Sequence, residues 1–262
     1  MAARFLFDRE PATSLAALIS GFSDSALDSP FKSTVPLLAL AKDDWTTFAK
    51  VLTLCSVIGD VSVAFERKVP SPKGEGLPSQ TDAMVLFDHG ALAIEAKWTE
   101  SRYPSVATRL TRKDSKGRDS KEFVSGWLEL LQPHAANPLR LEDFATSVYQ
   151  VVHRAASACG MGRAPSLAYL HFTPTIKSAA TSAQYLTDLS QVHALLGSPS
   201  DFPFFLIDVP MQPTQAFRAI EHLKKGAAET GEAVRSALLG QRLFEFGEPH
   251  MRRIGANDEY QL

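Results

Sequence analysis

Residues 81–98 read TDAMVLFDHGALAIEAKW: two apolar runs, Thr81 to Asp88 and Ala91 to Trp98, separated by His89 and Gly90. Two such runs around a two-residue turn signal predict an antiparallel β-hairpin, with Gly90 supplying the positive φ that the turn needs. Side chains alternate along a strand, so Glu95 and Lys97 project from one face while Ile94 and Ala96 project from the other. A turn at His89 and Gly90 pairs Asp88 with Ala91. Six further steps then place Asp82 opposite Lys97 and diagonal to Glu95, on the same face. Three ionisable groups are expected to converge on a hairpin otherwise built for burial.

Buried charges are costly unless they pair or bind an ion, and two adjacent carboxylates repel. Asp82 and Glu95 together therefore invite a divalent cation. Oxygen ligands select a hard metal, Mg²⁺ first, with Mn²⁺ as a substitute. A cation held there polarises a phosphoryl oxygen and activates a bound water, while the Lys97 ammonium orients that water or stabilises developing charge. Phosphodiester hydrolysis is the reaction class this chemistry suits.

Working outward, Trp45, Phe48, Val51, Leu52, Cys55 and Ile58 recur at helical spacing after Asp43 and Asp44, predicting a helix over about 44–58 ended by Gly59. Val61, Val63 and Phe65 alternate with Ser62, Ala64 and Glu66 as in a strand, and PSPKGEGLPS (70–79) reads as an exposed loop. Downstream, Phe144, Val148, Val151, Val152, Ala155 and Cys159 form one face of a helix over about 142–159, ended by Gly160 and Gly162. SLAYLHF (166–172) and FPFFLIDV (202–209) read as buried strands closed by Pro174 and Pro210, and the tail as helices over about 214–225 and 229–239. The expected fold is α/β, with a central mixed β-sheet flanked by helices. Its organisation is read as an N-terminal helical extension (1–43), a core (44–210) and a C-terminal helical extension (211–262).

Asp82, twelve intervening residues and then Glu95-Ala96-Lys97 resembles the signature of the PD-(D/E)xK nuclease superfamily, with Thr81 in the place of the nominal proline. The predicted element order from Trp45 to Val209 is similar to the αβββαβ core of restriction-endonuclease-like folds. The resemblance implies Asp82 and Glu95 as metal ligands and Lys97 as the catalytic lysine of a Mg²⁺-dependent nuclease, with DNA the expected substrate on family frequency. Members often carry a further acidic residue early in the core, and Glu66 resembles it; the other reading of Glu66 is a strand-end carboxylate beside Arg67 and Lys68. Gln150 resembles a glutamine that some subfamilies place on the helix after the hairpin, with Arg154 where one such motif has tyrosine. The alternative for Gln150 and Arg154 is a solvated polar helix face. Dimers are common among duplex-cutting nucleases, which makes a homodimer an expectation.

Net charge is −2, so any nucleic-acid surface must be local. Between Arg102 and Lys121, seven basic residues face two acidic ones, +5 in all, and Arg102, Arg109, Arg112 and Lys113, together with Arg154, are the candidate phosphate contacts. An exposed solubilising loop is the rival reading of that stretch. No HExxH, no phosphate-binding GxxxxGK[ST] and no strand-linked GxGxxG occurs, which leaves zinc proteolysis, nucleotide hydrolysis and dinucleotide redox chemistry without support. The histidines, His153 and His171 among them, read as surface or satisfied polar residues, and Cys55 and Cys159 as reduced core thiols. No run is long enough for a membrane span and no signal peptide is read at Met1 to Phe7, so the expectation is a cytoplasmic protein without membrane contact. Two non-enzymatic alternatives share the fold: a nucleic-acid-binding module and a structural partner subunit.

Overall fold

The computed structural model describes residues 1–111, 120–176 and 178–255. In chain order the elements are β1 (Ala3–Phe7), β2 (Glu10–Pro11), α1 (Leu15–Ser20), α2 (Thr34–Asp43), α3 (Trp45–Leu54), β3 (Val61–Val69), β4 (Ser79–Phe87), β5 (Gly90–Lys97), α4 (Val106–Thr111), α5 (Ser120–Leu131), α6 (Tyr149–Cys159), β6 (Ala164–Thr173), α7 (Ser182–Leu195), β7 (Phe204–Pro213), α8 (Gln215–Ile220), α9 (Thr230–Gly240), β8 (Phe244–Phe246) and β9 (His250–Arg253). The fold is α/β, with a mixed sheet ordered β2-β1-β3-β4-β5-β6-β7-β8 and β9 also paired to β7. The β3-β4-β5 meander is antiparallel, whereas β5, β6 and β7 run parallel, with α5 and α6 in the first crossover and α7 in the second.

Helices cover both faces. One core sets Val63, Phe65, Val85, Leu92, Ile94, Leu170 and Ile207 against α1, α2, α3, α8 and α9. The other sets Ala64, Met84, Ala93, Leu167, Tyr169 and Leu206 against α5, α6 and α7. A strand covered on both sides must be apolar throughout, and every residue of β5 is buried. Glu95 and Lys97 are thus held in the centre of the sheet, on the face beneath α6.

The hairpin turns one position earlier than its sequence suggests. Phe87 pairs with Gly90 and Ala83 with Ile94, so the turn residues are Asp88 and His89, and Gly90 opens β5 without a positive φ. Space is tight there: a Cβ at Gly90 would lie 2.3 Å from Cζ of the Phe87 ring, so any larger residue would have to displace that ring. Asp82 accordingly lies level with Glu95 rather than Lys97. Because the side-chain period is two, the shift keeps all three residues on one face.

Other differences concern ends. The expected 44–58 helix stops at Leu54, and the expected 142–159 helix is a single 3₁₀ turn, Leu141–Phe144, followed by α6. Asp44 caps α3, its Oδ1 accepting from the Thr47 amide at 3.1 Å. The stretch 1–43 is not only helical: β1 adds to the sheet in parallel with β3, its residues alternating between the two cores. At the other end β8 and β9 pair with β7, which runs on past Pro210 to Pro213. Proline has no amide to pair, and its carbonyl is satisfied by the Gly247 amide at 2.7 Å.

Candidate functional site

Three carboxylates lie level on neighbouring strands. The pairs Phe65–Ala83 and Arg67–Thr81 bracket Glu66 and Asp82, and Ala83–Ile94 sets Glu95 beyond Asp82. Glu66 takes a left-handed φ of 56°, unusual within a strand. Its carboxylate accepts a hydrogen bond from the Gln80 amide. Glu66 therefore joins the group rather than ending a strand in solvent.

Glu95 is the hub. Its Oε1 accepts from Lys97 Nζ at 2.9 Å and from Gln150 Nε2 at 2.7 Å, and its Oε2 accepts from Arg154 Nε. Asp82 Oδ2 accepts from the Ala96 amide at 2.8 Å, tying β4 to β5 where the ladder ends. Gln150 and Arg154 are both buried, because α6 lies between the sheet and α5 with little surface left to solvent. The reading of a solvated polar face on α6 is corrected: that face points into the carboxylates.

The acids divide their charge unequally. Burial works against the Glu95 carboxylate, but Arg154 and Lys97 outweigh it and hold its pKa below the usual range. Burial, then the neighbouring Glu95, pushes Asp82 well above the usual carboxylate range. Glu66 is raised to about 7, by burial first, with Arg154 opposing and Glu95 adding to the rise. Glu66, Asp82 and Glu95 against Lys97 and Arg154 leave one formal negative charge only with all three acids ionised; a bound cation would favour that state by drawing protons off Asp82 and Glu66. Magnesium is commonly held by one or two carboxylates and completes its shell with water and phosphate oxygens. Asp82 and Glu95 are the two carboxylates on the cleft floor that would hold such an ion; both Glu95 oxygens already accept hydrogen bonds, and among the described residues no three His, Cys, Asp or Glu side chains form a ready metal cage.

Two clefts meet at this cluster. The first, about 550 Å³, is floored by Asp82, Glu95, Lys97, Gln150 and Arg154 and rimmed by Lys32, Tyr103 and Lys225. The second, about 930 Å³, lies on the far side of Arg154 and Tyr103, between the 70–78 loop with the start of β4 and the α5–α6 face. Arg154 links the two: while Nε bonds Glu95, Nη1 donates to Ser79 Oγ at 2.7 Å. Ser79 Oγ lies 2.8 Å and Arg154 Nη1 3.3 Å from His153 Nδ1, an arrangement satisfied by the tautomer that carries its hydrogen on Nε2. Burial, then Arg154, holds the His153 pKa well below its usual value, and the ring stays neutral.

The other candidates separate. Arg109 lines the second cleft, 5.7 Å over the Tyr149 ring, and donates to Ser120 Oγ at 2.8 Å. Arg102 is held instead by Asp188, whose Oδ2 takes its Nε at 3.0 Å, a pairing that turns it from both clefts. Arg112 and Lys113 lie outside the described residues. Ser79, His153 and Tyr169 were not among the sequence candidates. Ser79 and Tyr169 were hidden in segments read as loop and as strand core, yet Tyr169 pairs with Glu95 in register and its ring lies 5.9 Å from Lys97 Nζ. His171, the register partner of Lys97, binds Asp208 Oδ1 at 2.8 Å and Ser182 Oγ at 2.9 Å through the same Nδ1. Ser182 sits on the wrong nitrogen for a Ser-His-Asp relay, which needs acid and nucleophile on opposite ring nitrogens.

Fold and site together define an α/β protein with a lysine–arginine–carboxylate cluster at the floor of a cleft. The chain belongs to the family described as a domain of unknown function, DUF6946, which matches residues 16–202. No curated protein and no solved structure matches it.

Proposed function

We propose that the chain is a metal-dependent nuclease that hydrolyses phosphodiester bonds, with DNA as the expected substrate. One observation carries this reading: Asp82, Glu95 and Lys97 share one face of the β4–β5 hairpin at the floor of an open cleft. Asp82 and Glu95 would hold Mg²⁺, or Mn²⁺ in its place. When bound, that ion polarises a phosphoryl oxygen and lowers the pKa of a water molecule. Lys97, anchored on Glu95, is placed to orient the attacking water or to meet charge developing on phosphate. Arg154 and Gln150 fix the rotamer of Glu95, and Glu66 adds negative charge beside Asp82. The free thiols of Cys55 and Cys159 accord with a reducing, cytoplasmic location. Among the described residues no helix is long and apolar enough to cross a membrane. A homodimer, presenting one site to each strand of a duplex, belongs to the same reading.

A second reading, a nucleic-acid-binding protein without chemistry, is favoured by the saturation of Glu95, whose oxygens already accept from Lys97, Gln150 and Arg154. One assay separates the two: cleavage of plasmid, linear, nicked and single-stranded substrates with and without Mg²⁺, by wild type, Asp82→Ala and Lys97→Ala. Loss of about 100-fold or more in both variants is expected. Equal cleavage by all three proteins sinks the site, and binding without cleavage supports the second reading.

A further inference from the structure

The second cleft lies outside the proposed chemistry, and its walls have a composition of their own. The Phe123, Trp127 and Tyr149 rings form one side, with Trp127 Nε1 donating to the Tyr149 hydroxyl at 3.1 Å. Ser79, His153 and Arg154 form the polar end nearest the carboxylates. Tyr103, 47 % exposed, stands at the junction and lines both clefts. The volume, about 930 Å³, is in the range of pockets that enclose small organic ligands, roughly 300–1,000 Å³.

We infer that this cleft receives an unpaired nucleobase of the nucleotide next to the phosphate held over Asp82 and Glu95, with Tyr103 as its stacking platform. The inference rests on the nuclease reading and narrows it to substrates with single-stranded character. Aromatic faces accept any base, since every base has a π-face, and the polar end supplies hydrogen bonds to base edges. His153, at that polar end, is one such group. Arg154 bonds to Glu95 on one side and to Ser79 on the other, so a nucleotide spanning it places sugar-phosphate in the first cleft and base in the second. A base stacked within a duplex cannot reach there without unpairing, at a cost of a few kcal/mol. A single strand, flap or gap does not incur that cost.

Binding in EDTA tests the pocket independently of catalysis. Fluorescence anisotropy of a labelled single-stranded oligonucleotide and of the blunt duplex of the same sequence is compared for wild type, Tyr103→Ala and Tyr103→Phe. The single strand is expected to bind more tightly than the duplex. Tyr103→Ala should weaken single-strand binding by about tenfold or more, as loss of one stacked base does. Tyr103→Phe, which keeps the ring, should stay within about twofold, and neither change should alter duplex binding. Equal affinity for both forms, or no effect of Tyr103→Ala, overturns the pocket. Mg²⁺-dependent duplex cleavage alongside such a result leaves the nuclease reading standing. Single-strand preference without cleavage by any substrate keeps the pocket and removes the nuclease.

Discussion

Asp82 and Glu95 are near-identical carboxyls that the fold drives apart. Glu95 has two cations and an amide on it; Asp82 has a backbone amide and a like charge alongside. A carboxyl whose folded pKa lies above its unfolded value keeps a proton that the unfolded chain has already released. Its contribution to stability therefore falls as pH rises through that window. For Glu66 the window runs from its usual value of 4.5 to about 7. Glu66→Gln, which keeps an acceptor for the Gln80 amide, is expected to gain about 2 kcal/mol on wild type between about pH 4 and about pH 8. Urea melts at the two pH values measure this, and a pH-independent difference would remove Glu66 from the cluster. Asp82→Asn has the same sign: it should be more stable than wild type at alkaline pH and, under the proposed function, should lose cleavage. That opposition is expected where like charges are held together for function rather than for stability.

At the scale of elements, the hairpin and α6 do different work. The hairpin sets parity, so that a turn at Asp88 and His89 still leaves Asp82, Glu95 and Lys97 on one face. Helix α6 brings Arg154 and Gln150 to Glu95, the second cation being Lys97 of β5 itself, and α5 behind it shapes the second cleft. The 70–78 loop docks on α5 where Gly126 exposes bare backbone: Ser71 Oγ donates to the Phe123 carbonyl at 2.9 Å. A Cβ at Gly126 would meet Ser71 Oγ at 2.1 Å and the Lys73 amide nitrogen at 2.9 Å. Gly126→Ala adds up to about 1 kcal/mol of helix propensity, but overpacking costs about 1–3 kcal/mol. The variant is expected to lose about 1 kcal/mol net and to be cut faster by trypsin after Lys73. Unchanged proteolysis and a gain in stability would show that the loop does not depend on that glycine.

On the scale of the molecule, the sheet is one shared wall between two cores, and the segments flanking 16–202 are built into it. Trp98, just past Lys97, has the rings of Phe217 and Phe244 at 5.7 and 5.6 Å. Strand β7 alone buries Phe204, Phe205, Leu206, Ile207 and Val209. At about 1.5–3 kcal/mol each, those five side chains rival the about 5–15 kcal/mol by which a domain is stable. A fragment limited to residues 16–202 is therefore expected to lack near-UV circular dichroism and a cooperative urea transition, both of which the full chain should show. A cooperative transition in the fragment would mean that β1 and β7 are dispensable.

Local pattern determined a good deal by itself. Alternation in 61–66 and the two apolar runs 81–88 and 91–98 around a turn signal marked the meander, and two charges in the otherwise apolar ALAIEAKW marked Glu95 and Lys97, because strand period and hydrophobicity are properties of neighbouring residues. Gln150 was legible as a polar position on a helix after the hairpin. Tertiary structure alone decided the rest. Whether Arg154 meets water or a carboxylate depends on what packs above α6. The partner of Asp82 depends on the turn at Asp88 and His89, across which Phe87 pairs with Gly90. Ala3–Phe7 and Phe204–Pro213 take their places only when distant strands offer an edge. The charge balance around Glu95 joins residues from β3, β4, β5 and α6, and electrostatics across such distances in sequence leaves no periodic trace in the chain.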